Sequence, residues 1–312
     1  MKYVFWGAIG LLIVIQIISY IVWHIGLRSP KKGQEKDHRA QDNDLPEHLS
    51  KGIYQMIETL KEVPYEKVTI VSQDGLRLSG RYYAREPKKP VLICCHGYRG
   101  TPTRDFSGGA MYYLNLGYNV LLIEQRAHLT SEGRSITMGV KERYDLLKWI
   151  DYVIERNGPE TKIVLSGISM GGATVLMTCG LDLPKQVVGA IADAAYTSPK
   201  AIMLKVLKDM KLPPRFMYCF LWYGTWLFGG VNLSDRTADA IRAVQRTHLP
   251  ILLIHGEADG FVPCEMGRKI AAANPDRIEF HSFPNAGHGL SYLTDRERYE
   301  TIAADFLNRI TA

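Results

Sequence analysis

Three residues in the second half of the chain have the types that nucleophilic acyl transfer requires. Ser169 lies in Gly-Ile-Ser-Met-Gly, Asp259 in His-Gly-Glu-Ala-Asp-Gly-Phe-Val-Pro, and His288 in Asn-Ala-Gly-His-Gly. A serine hydroxyl is a weak nucleophile at neutral pH, so it needs a histidine as base and a carboxylate that orients this histidine. The pattern predicts a catalytic triad of Ser169, Asp259 and His288.

The serine motif has the context of a nucleophile elbow. It follows an apolar strand pattern at residues 162–166 and precedes a helix pattern at 171–179. The flanking glycines leave room for a strained turn that exposes the serine. The backbone N–H of Met170, at the helix start, is predicted to stabilise a developing oxyanion. The second donor is expected in the loop His-Gly-Tyr-Arg-Gly after the strand at 91–95, and by position it is the Tyr98 N–H.

Other polar residues near these motifs have competing interpretations. Asp193 ends the strand before Asp259 and is the reserve candidate for the triad acid. His96 is interpreted as a hydrogen-bonding residue that shapes the Tyr98 loop. Arg99 either meets an anionic group of a substrate or is simply solvated or paired. Three further residues are interpreted as structural or as part of a turn: His255, His281 and Glu257.

These groups are positioned by a predicted α/β domain of residues 49–312. Strands are expected at 67–71, 76–83, 91–95, 119–123, 162–166, 187–192, 251–254 and 278–283. Helices are expected at 49–61, 108–116, 141–156, 171–179, 263–273 and 294–310. Two antiparallel strands followed by repeated βα units predict a mostly parallel, eight-stranded sheet with helices on both faces.

An insertion at residues 196–247 interrupts the alternation of strands and helices. It contains the aromatic block Phe-Met-Tyr-Cys-Phe-Leu-Trp-Tyr-Gly-Thr-Trp-Leu-Phe at 216–228. The favoured interpretation is a small helical cap that lines the substrate site. A buried helical insertion and an aromatic surface that lies on a membrane are the alternatives.

The N-terminus predicts a transmembrane helix. Residues 3–27 contain no Lys, Arg, Asp or Glu, and about 20 apolar residues suffice to cross a bilayer. A cleaved signal peptide is the alternative, but its apolar core is usually shorter, about 7–15 residues. The sequence after this segment, Arg-Ser-Pro-Lys-Lys, is also a poor cleavage site.

A polar tether is expected at residues 28–48, which lack apolar periodicity. This side of the membrane segment carries more basic residues than the N-terminal side. The positive-inside rule therefore predicts a single-pass membrane protein whose catalytic domain is cytoplasmic. The five unpaired-looking cysteines agree with a reducing compartment.

The composition argues against several other functions. The net charge is +6, but the basic residues are scattered and do not alternate with aromatics, so no nucleic-acid partner is expected. No Cys-x-x-Cys spacing or Cys/His cluster suggests a metal, and no cofactor is expected.

Four motifs together resemble the α/β-hydrolase superfamily: His-Gly-Tyr-Arg-Gly, Gly-Ile-Ser-Met-Gly-Gly, His-Gly-Glu-Ala-Asp-Gly-Phe-Val-Pro and Asn-Ala-Gly-His-Gly. The resemblance runs from about Tyr65 to the C-terminus, and the order Ser, Asp, His is the one expected for this fold. Residues 124–133 resemble the superfamily loop D-x-R-G-x-G-x-S-x-G with several departures. Within the superfamily the chain is similar to Bem46-like and serine-aminopeptidase-like hydrolases, several of which carry an N-terminal membrane segment.

The resemblance implies hydrolysis of an ester, thioester or amide through an acyl-enzyme, without a metal or organic cofactor. The expected partner is a small-molecule acyl substrate, and the aromatic insertion favours an apolar or lipid-like one. Peptidase or acyl-transfer chemistry by the same triad is the alternative, although the sequence shows no propeller domain like that of prolyl oligopeptidases. A degenerate domain that serves only for binding is a further alternative.

Overall fold

The computed structural model describes residues 2–29, 47–86 and 89–312. Most of the predicted tether, residues 30–46, lies outside the described residues. The predicted helix at the N-terminus is present, and it runs from Lys2 to Gly26. Its apolar composition and length make it a candidate membrane span.

The secondary structure alternates as the sequence predicts. The helices are α1 (Lys2–Gly26), α2 (Glu47–Lys61), α3 (Pro102–Asn115), α4 (Glu142–Asn157), α5 (Met170–Thr178), α6 (Pro199–Asp209), α7 (Pro214–Gly229), α8 (Ala240–Val244), α9 (Cys264–Ala272), α10 (Ser291–Thr294) and α11 (Arg296–Thr311). The strands are β1 (Glu66–Val71), β2 (Arg77–Tyr83), β3 (Val91–Cys95), β4 (Asn119–Ile123), β5 (Ile163–Ile168), β6 (Val187–Asp193), β7 (Ile251–Gly256) and β8 (Ile278–Phe283).

The strands form one eight-stranded sheet in the order β1-β2-β4-β3-β5-β6-β7-β8. β2 pairs antiparallel with β1 and with β4, and every other neighbouring pair is parallel. This confirms the predicted, mostly parallel sheet. β5 continues two residues further than predicted, to Ile168, so Ser169 follows the strand directly. Because β5, β7 and β8 run parallel in the sheet, the loops that follow them lie at the same edge.

Helices cover both faces of the sheet. Ile93 of β3 belongs to one buried cluster, together with Trp149 of α4. Its neighbour Leu92 belongs to a second buried cluster, together with Phe306 of α11. Because successive side chains of a strand point to opposite faces, the central strands are apolar on both sides. This double burial explains their continuous Val, Ile and Leu runs.

The C-terminal end of α1 packs on the α/β domain. Trp23 is 2% exposed, and its Nε1 donates a hydrogen bond to Ser135 Oγ at 3.0 Å. Leu27 is also buried, and its carbonyl oxygen accepts a hydrogen bond from the Ile136 N–H at 2.8 Å. In contrast, most apolar side chains nearer the start of α1 are exposed. The helix end is therefore part of the packed domain.

The insertion at residues 196–247 forms α6, α7 and α8, and α7 packs along α1. The backbone of Gly224 lies against that of Ser19, where a Cβ at residue 224 would overlap the Ser19 carbonyl oxygen. The rings of Phe228 and Tyr20 meet edge to face, with centroids 5.2 Å apart. The aromatic block predicted from the sequence is therefore the helix that contacts the N-terminal segment.

Candidate active site

The backbone at Ser169 has the geometry of a strained turn. Its φ of 56° and ψ of −116° place it outside the usual regions for a residue with a side chain. The Ser169 N–H donates to the carbonyl oxygen of Asp193 at 2.8 Å, which ties the turn to β6. A Cβ at Gly171 would overlap the Cys95 carbonyl oxygen, and one at Gly167 would overlap the backbone of Gly171. Both glycines are thus required by close backbone packing around the serine.

A chain of two hydrogen bonds joins the three predicted triad residues. His288 Nδ1 lies 2.7 Å from Asp259 Oδ2, and His288 Nε2 lies 2.9 Å from Ser169 Oγ. An ionised carboxylate only accepts hydrogen bonds, so Nδ1 carries the hydrogen of a neutral imidazole. Nε2 then accepts from the Ser169 hydroxyl. This is the arrangement in which an imidazole removes the serine proton as the oxygen attacks.

The loop after β7 holds Asp259 rigidly in its ionised form. Asp259 Oδ1 accepts from the N–H groups of Phe261 and Val262 at 2.9 and 2.8 Å. Burial alone would raise the pKa of Asp259, but hydrogen bonds from His255, His288 and the Val262 amide outweigh it and lower the pKa. The carboxylate therefore stays charged at neutral pH.

His255 lies behind Asp259, as the structural interpretation of this residue predicts. Its Nε2 lies 2.8 Å from the Val262 carbonyl oxygen and 3.5 Å from Asp259 Oδ2. Burial would lower the pKa of His255, but its bonds to Asp259 and Val262 raise it overall. The side chain thus braces the turn that carries Asp259.

Asp193, the reserve acid, does not reach the histidine ring by a hydrogen bond. Its Oδ1 accepts a hydrogen bond from Ser291 Oγ at 3.3 Å, and its main-chain carbonyl oxygen accepts one from the Ser169 N–H. Burial raises the pKa of the Asp193 carboxyl to about 6. The structure therefore brings Asp259, and not Asp193, onto His288.

The loop after β3 lies beside the serine, and hydrogen bonds fix its shape. His96 Nδ1 donates to the Gly97 carbonyl oxygen at 2.8 Å, and His96 Nε2 accepts from the Gln125 N–H at 3.1 Å. Burial lowers the pKa of His96 to about 4, so its ring is neutral and both nitrogens are used. The Gly97 N–H donates to Asp105 Oδ2 at 2.7 Å. Tyr98 follows immediately, and its side chain lines the same cavity as Ser169.

Met170 is the first residue of α5. The first N–H groups of a helix have no partner within the helix, so they are available to an oxyanion at this place. The Met170 side chain is buried in the core, which anchors the start of the helix. Tyr98 and Met170 therefore lie on the two segments that flank Ser169, and their role as oxyanion donors stays a prediction.

Sequence reasoning missed two supports of the Tyr98 loop. His128 Nε2 accepts from the Arg99 N–H at 3.0 Å, and its Nδ1 bonds the Arg126 carbonyl oxygen. Arg99 Nη2 donates to the Ile25 carbonyl oxygen at 2.6 Å, so Arg99 is paired with the end of α1. His128 lies in the loop with several departures from the superfamily pattern, so no motif indicated this contact. The Arg99 contact joins residues 74 positions apart.

A cavity of about 550 Å³ opens beside Ser169 and His288. Its walls combine apolar residues with polar and charged ones, among them Arg104 and Asp105, and its volume falls in the usual range for small-molecule sites, about 300–1,000 Å³. The lining side chains that do not belong to the triad come mainly from α2, α3 and the segment after His288: Ile53, Met56, Phe106, Leu290, Tyr292 and Leu293. Among the described residues that line it, none belongs to the insertion at 196–247.

The interpretation of the aromatic block as a wall of the substrate site is therefore not supported for this cavity. The physical reason is that α7 buries its inner side against α1. The insertion still reaches the acid loop through α6, where the Lys205 ammonium donates to the Gly260 carbonyl oxygen. α2, which the sequence predicts only as a short helix before the sheet, supplies part of the wall instead.

A family model gives the relationship of this chain to known proteins. The model of the prolyl oligopeptidase family, Peptidase_S9, matches residues 105–312, which is more than half of the chain. The chain belongs to the prolyl oligopeptidase family. The matched region of this Peptidase_S9 member begins in α3 and includes Ser169, Asp259 and His288. Like the solved structures it resembles, it has the α/β-hydrolase fold, as the sequence motifs imply.

The relatives of this prolyl oligopeptidase family member include hydrolases. YqkD of Bacillus subtilis is 23% identical over 307 residues, which cover 97% of this chain and 96% of YqkD. The lysophosphatidylserine lipase ABHD12 of Danio rerio is 24% identical over 230 residues, covering 70% of this chain and 58% of the lipase. The structure of the Pyrococcus furiosus esterase Pf2001 superposes with a TM-score of 0.68 at 22% identity, covering 92% of this chain and 99% of the esterase. The chain is thus a hydrolase of the esterase, lipase and peptidase type.

Proposed function

We propose that this protein is a membrane-anchored serine hydrolase that cleaves ester-type acyl bonds through an acyl-enzyme. The observation that carries the proposal is the hydrogen-bond chain from Ser169 Oγ to His288 to Asp259, at 2.9 and 2.7 Å. The strained backbone of Ser169 supports it, because backbone strain of this kind clusters at active sites.

In the first half-reaction Ser169 Oγ attacks the acyl carbonyl carbon while its proton moves to His288 Nε2. The amides of Tyr98 and Met170 stabilise the negative charge on the carbonyl oxygen. When the tetrahedral intermediate collapses, His288 gives the proton to the leaving alkoxide, and the alcohol departs. Asp259 keeps the ring oriented and stabilises its positive charge throughout.

In the second half-reaction a water molecule replaces the alcohol. His288 takes a proton from the water while the water oxygen attacks the carbonyl carbon of the acyl-enzyme. The second tetrahedral intermediate then expels Ser169 Oγ, which recovers the proton from His288. The carboxylic acid is released, and no cofactor takes part in either step. Among the described residues, no group of His, Cys, Asp or Glu is arranged to hold a metal ion.

The apolar part of the cavity favours an acyl chain as the substrate group next to Ser169. Its walls at α2 and after His288 carry aliphatic and aromatic side chains, which bind hydrocarbon through the hydrophobic effect. The names of an esterase and a lysophospholipid lipase among the similar proteins agree with an ester substrate. A small, apolar or lipid-like ester is therefore the proposed substrate class.

Anchoring by α1 is supported by the way its end packs. A signal peptide is removed from the mature protein, whereas Trp23 and Leu27 are buried in the domain and hydrogen-bonded to residues 135 and 136. Cleavage there would remove part of the core. The positive-inside rule, applied to the basic residues after α1, supports a cytoplasmic catalytic domain.

A peptidase or acyltransferase activity is the second candidate, and membership of the prolyl oligopeptidase family favours the peptidase. The same triad attacks an amide, and an acceptor alcohol in place of water gives acyl transfer. Parallel assays with matched acyl esters and acyl amides, with and without an added alcohol, separate the three activities. We expect ester hydrolysis to dominate, and a preference for amides would contradict the ester assignment.

The first test is labelling of the full-length protein with a fluorophosphonate, which reacts with activated serines. We expect rapid labelling of the wild type and none of Ser169→Ala. Ser166→Ala is a matched control, because Ser166 lies on the same strand and is buried, yet belongs to no predicted catalytic group. A folded wild-type protein that stays unlabelled would contradict the proposed hydrolase and leave the binding-only alternative.

A further inference from the structure

The outer face of α7 is uncharged and exposed. The sequence from residue 216 to residue 234 contains no charged residue. Phe216 and Trp226 are 62% and 56% exposed. The helical repeat brings further exposed residues to the same side of α7. We call this surface the α7 face, and it comprises Phe216, Cys219, Trp222, Trp226 and Leu227, all of which are exposed. Contiguous apolar surfaces of this kind usually mark a site of interaction.

The α7 face is continuous with the helix proposed to cross the membrane. Leu221 lies against Gly26, Gly224 against Ser19, and Phe228 against Tyr20. Leu221 thus meets the last turn of α1, whereas Gly224 and Phe228 meet α1 about one and a half to two turns earlier. The close contact at Ser19 and Gly224 uses small residues, as do helix pairs within membranes.

The contacts between α1 and α7 determine how deeply the α7 face lies in the bilayer. Residues 2–19 of α1 form 18 residues of helix, about 27 Å at 1.5 Å per residue, which nearly matches the hydrocarbon thickness of about 30 Å. The contacts at Ser19 and Tyr20 therefore place the second half of α7 where the span leaves the hydrocarbon. Trp222 and Trp226 lie in this half, and tryptophan favours the membrane interface.

The charges around α7 have the sign that an anionic bilayer surface attracts. Three basic residues, Lys208, Lys211 and Arg215, and one acidic residue, Asp209, are exposed from the end of α6 to the start of α7. Because Leu221 contacts Gly26 whereas Phe228 contacts Tyr20, the start of α7 lies farther from the bilayer centre than Trp226. Helices that lie in the membrane interface have this arrangement: their apolar residues face the hydrocarbon, and their basic residues face the headgroups.

We infer that the α7 face inserts into the interfacial layer of the bilayer and contacts phospholipid. α7 is then a second membrane-contacting element, paired with the anchor, and it fixes the orientation of the catalytic domain on the membrane. This inference rests on the proposed anchoring by α1.

The test uses Cys219 as a native reporter, because it is exposed on the α7 face while the other four cysteines are buried. An environment-sensitive NBD fluorophore is attached to Cys219 in the folded, full-length protein. The protein is reconstituted into vesicles of phosphatidylcholine and phosphatidylglycerol. Quenching by lipids with a headgroup nitroxide is compared with quenching by aqueous iodide. The matched control is Cys219→Ser with Asp151→Cys, which moves the fluorophore to an exposed position on α4.

We expect the fluorophore at Cys219 to be quenched by the nitroxide lipid and protected from iodide, and the control to show the reverse. Trp226→Lys should reduce nitroxide quenching by about twofold or more, because a charge resists insertion. Iodide quenching equal to that of the control would overturn the inference. Protection that depends on the protein-to-lipid ratio and persists in detergent would overturn it in favour of a second copy of the chain.

The same samples distinguish a failure of the anchor from a failure of the α7 inference. Alkaline carbonate extraction and the intact mass report whether α1 is retained and inserted. A protein of full mass that stays in the vesicles, with the Cys219 fluorophore in water, contradicts only the α7 inference. A protein released by carbonate contradicts the anchoring itself.

Discussion

The phenolic hydroxyl of Tyr98 donates a hydrogen bond to the main-chain carbonyl oxygen of Gly26. Gly26 is the last residue of α1, and the final carbonyl groups of a helix have no partner within the helix. The backbone N–H of the same tyrosine is the proposed oxyanion donor. One residue thus connects the end of α1 with the proposed oxyanion site.

Removing this hydroxyl should weaken catalysis more than binding. We expect Tyr98→Phe to lower kcat by about 3- to 10-fold with little change in KM, because one lost hydrogen bond is worth about 1 kcal/mol and loosens the oxyanion loop. Steady-state hydrolysis of a short-chain ester measures this. Tyr112→Phe is the matched control, since its hydroxyl bonds the Glu300 carbonyl oxygen on α11. Equal rates for Tyr98→Phe and the wild type would show that α1 does not position the loop.

If Asp259, and not Asp193, is the acid of the triad, replacing each aspartate by asparagine should change kcat to very different extents. Asp259→Asn should lower kcat by about 10³- to 10⁴-fold, because an amide at this place favours the wrong tautomer of His288. Asp193→Asn should change kcat by no more than about threefold, since Asp193 bonds Ser291 and not the ring. Both variants are assayed on the same ester. The reverse ranking would make Asp193 the acid of the triad.

Asp193 should also make stability depend on pH. Burial raises its pKa in the folded protein to about 6, above the value of 3.8 for an unperturbed aspartate carboxyl. A carboxyl whose pKa rises on folding contributes most to stability below the unfolded value, and this contribution is lost as the pH rises through the folded value. Asp193→Asn should therefore raise the free energy of unfolding by about 3 kcal/mol at pH 8 and by about half as much at pH 5.

Urea unfolding of both proteins in the same detergent at the two pH values measures this difference. The comparison between pH values is its own control, because any packing change caused by asparagine acts equally at both. A stabilisation that does not shrink at pH 5 would mean that folding does not raise the pKa of Asp193.

Two glycine-to-alanine substitutions should have opposite effects. Gly171→Ala places a methyl group against the carbonyl of Cys95 and only 2.8 Å from the His96 carbonyl oxygen, so it should cost about 3 kcal/mol and displace the serine from the Tyr98 loop. Gly109→Ala in α3 meets only Tyr113, at 3.7 Å, and should stabilise the helix by up to about 1 kcal/mol. Thermal unfolding measures the stability of both variants, and ester hydrolysis measures their activity. Retained activity in Gly171→Ala would contradict the need for close packing at the elbow.

Much of this architecture follows from local patterns in the sequence. Continuous apolar runs predict the central strands, because a strand covered on both faces needs no polar side. Parallel strands bring their carboxyl ends to one edge, so the loops that carry Ser169, Asp259 and His288 are expected to meet there. The structure does bring these three side chains within hydrogen-bonding distance, and their catalytic roles remain predictions.

Tertiary packing decided what the local patterns left open. Asp193 ends β6 and Asp259 follows the neighbouring strand β7, and only the turn fixed by Phe261 and Val262 aims one of them at His288. The aromatic block at 216–228 is compatible with a cap, a buried insertion or a membrane surface, and the close contact of Gly224 with Ser19 brings it to α1.

The contact of Tyr98 with Gly26 joins residues 72 positions apart, and no periodicity in either segment indicates it. Periodicity reports which side of an element is buried, because it depends on the direction of each side chain along one helix or strand. It does not report which other element covers that side. That choice depends on the shapes and hydrogen-bonding groups of segments far apart in the chain, and only the folded structure brings them together.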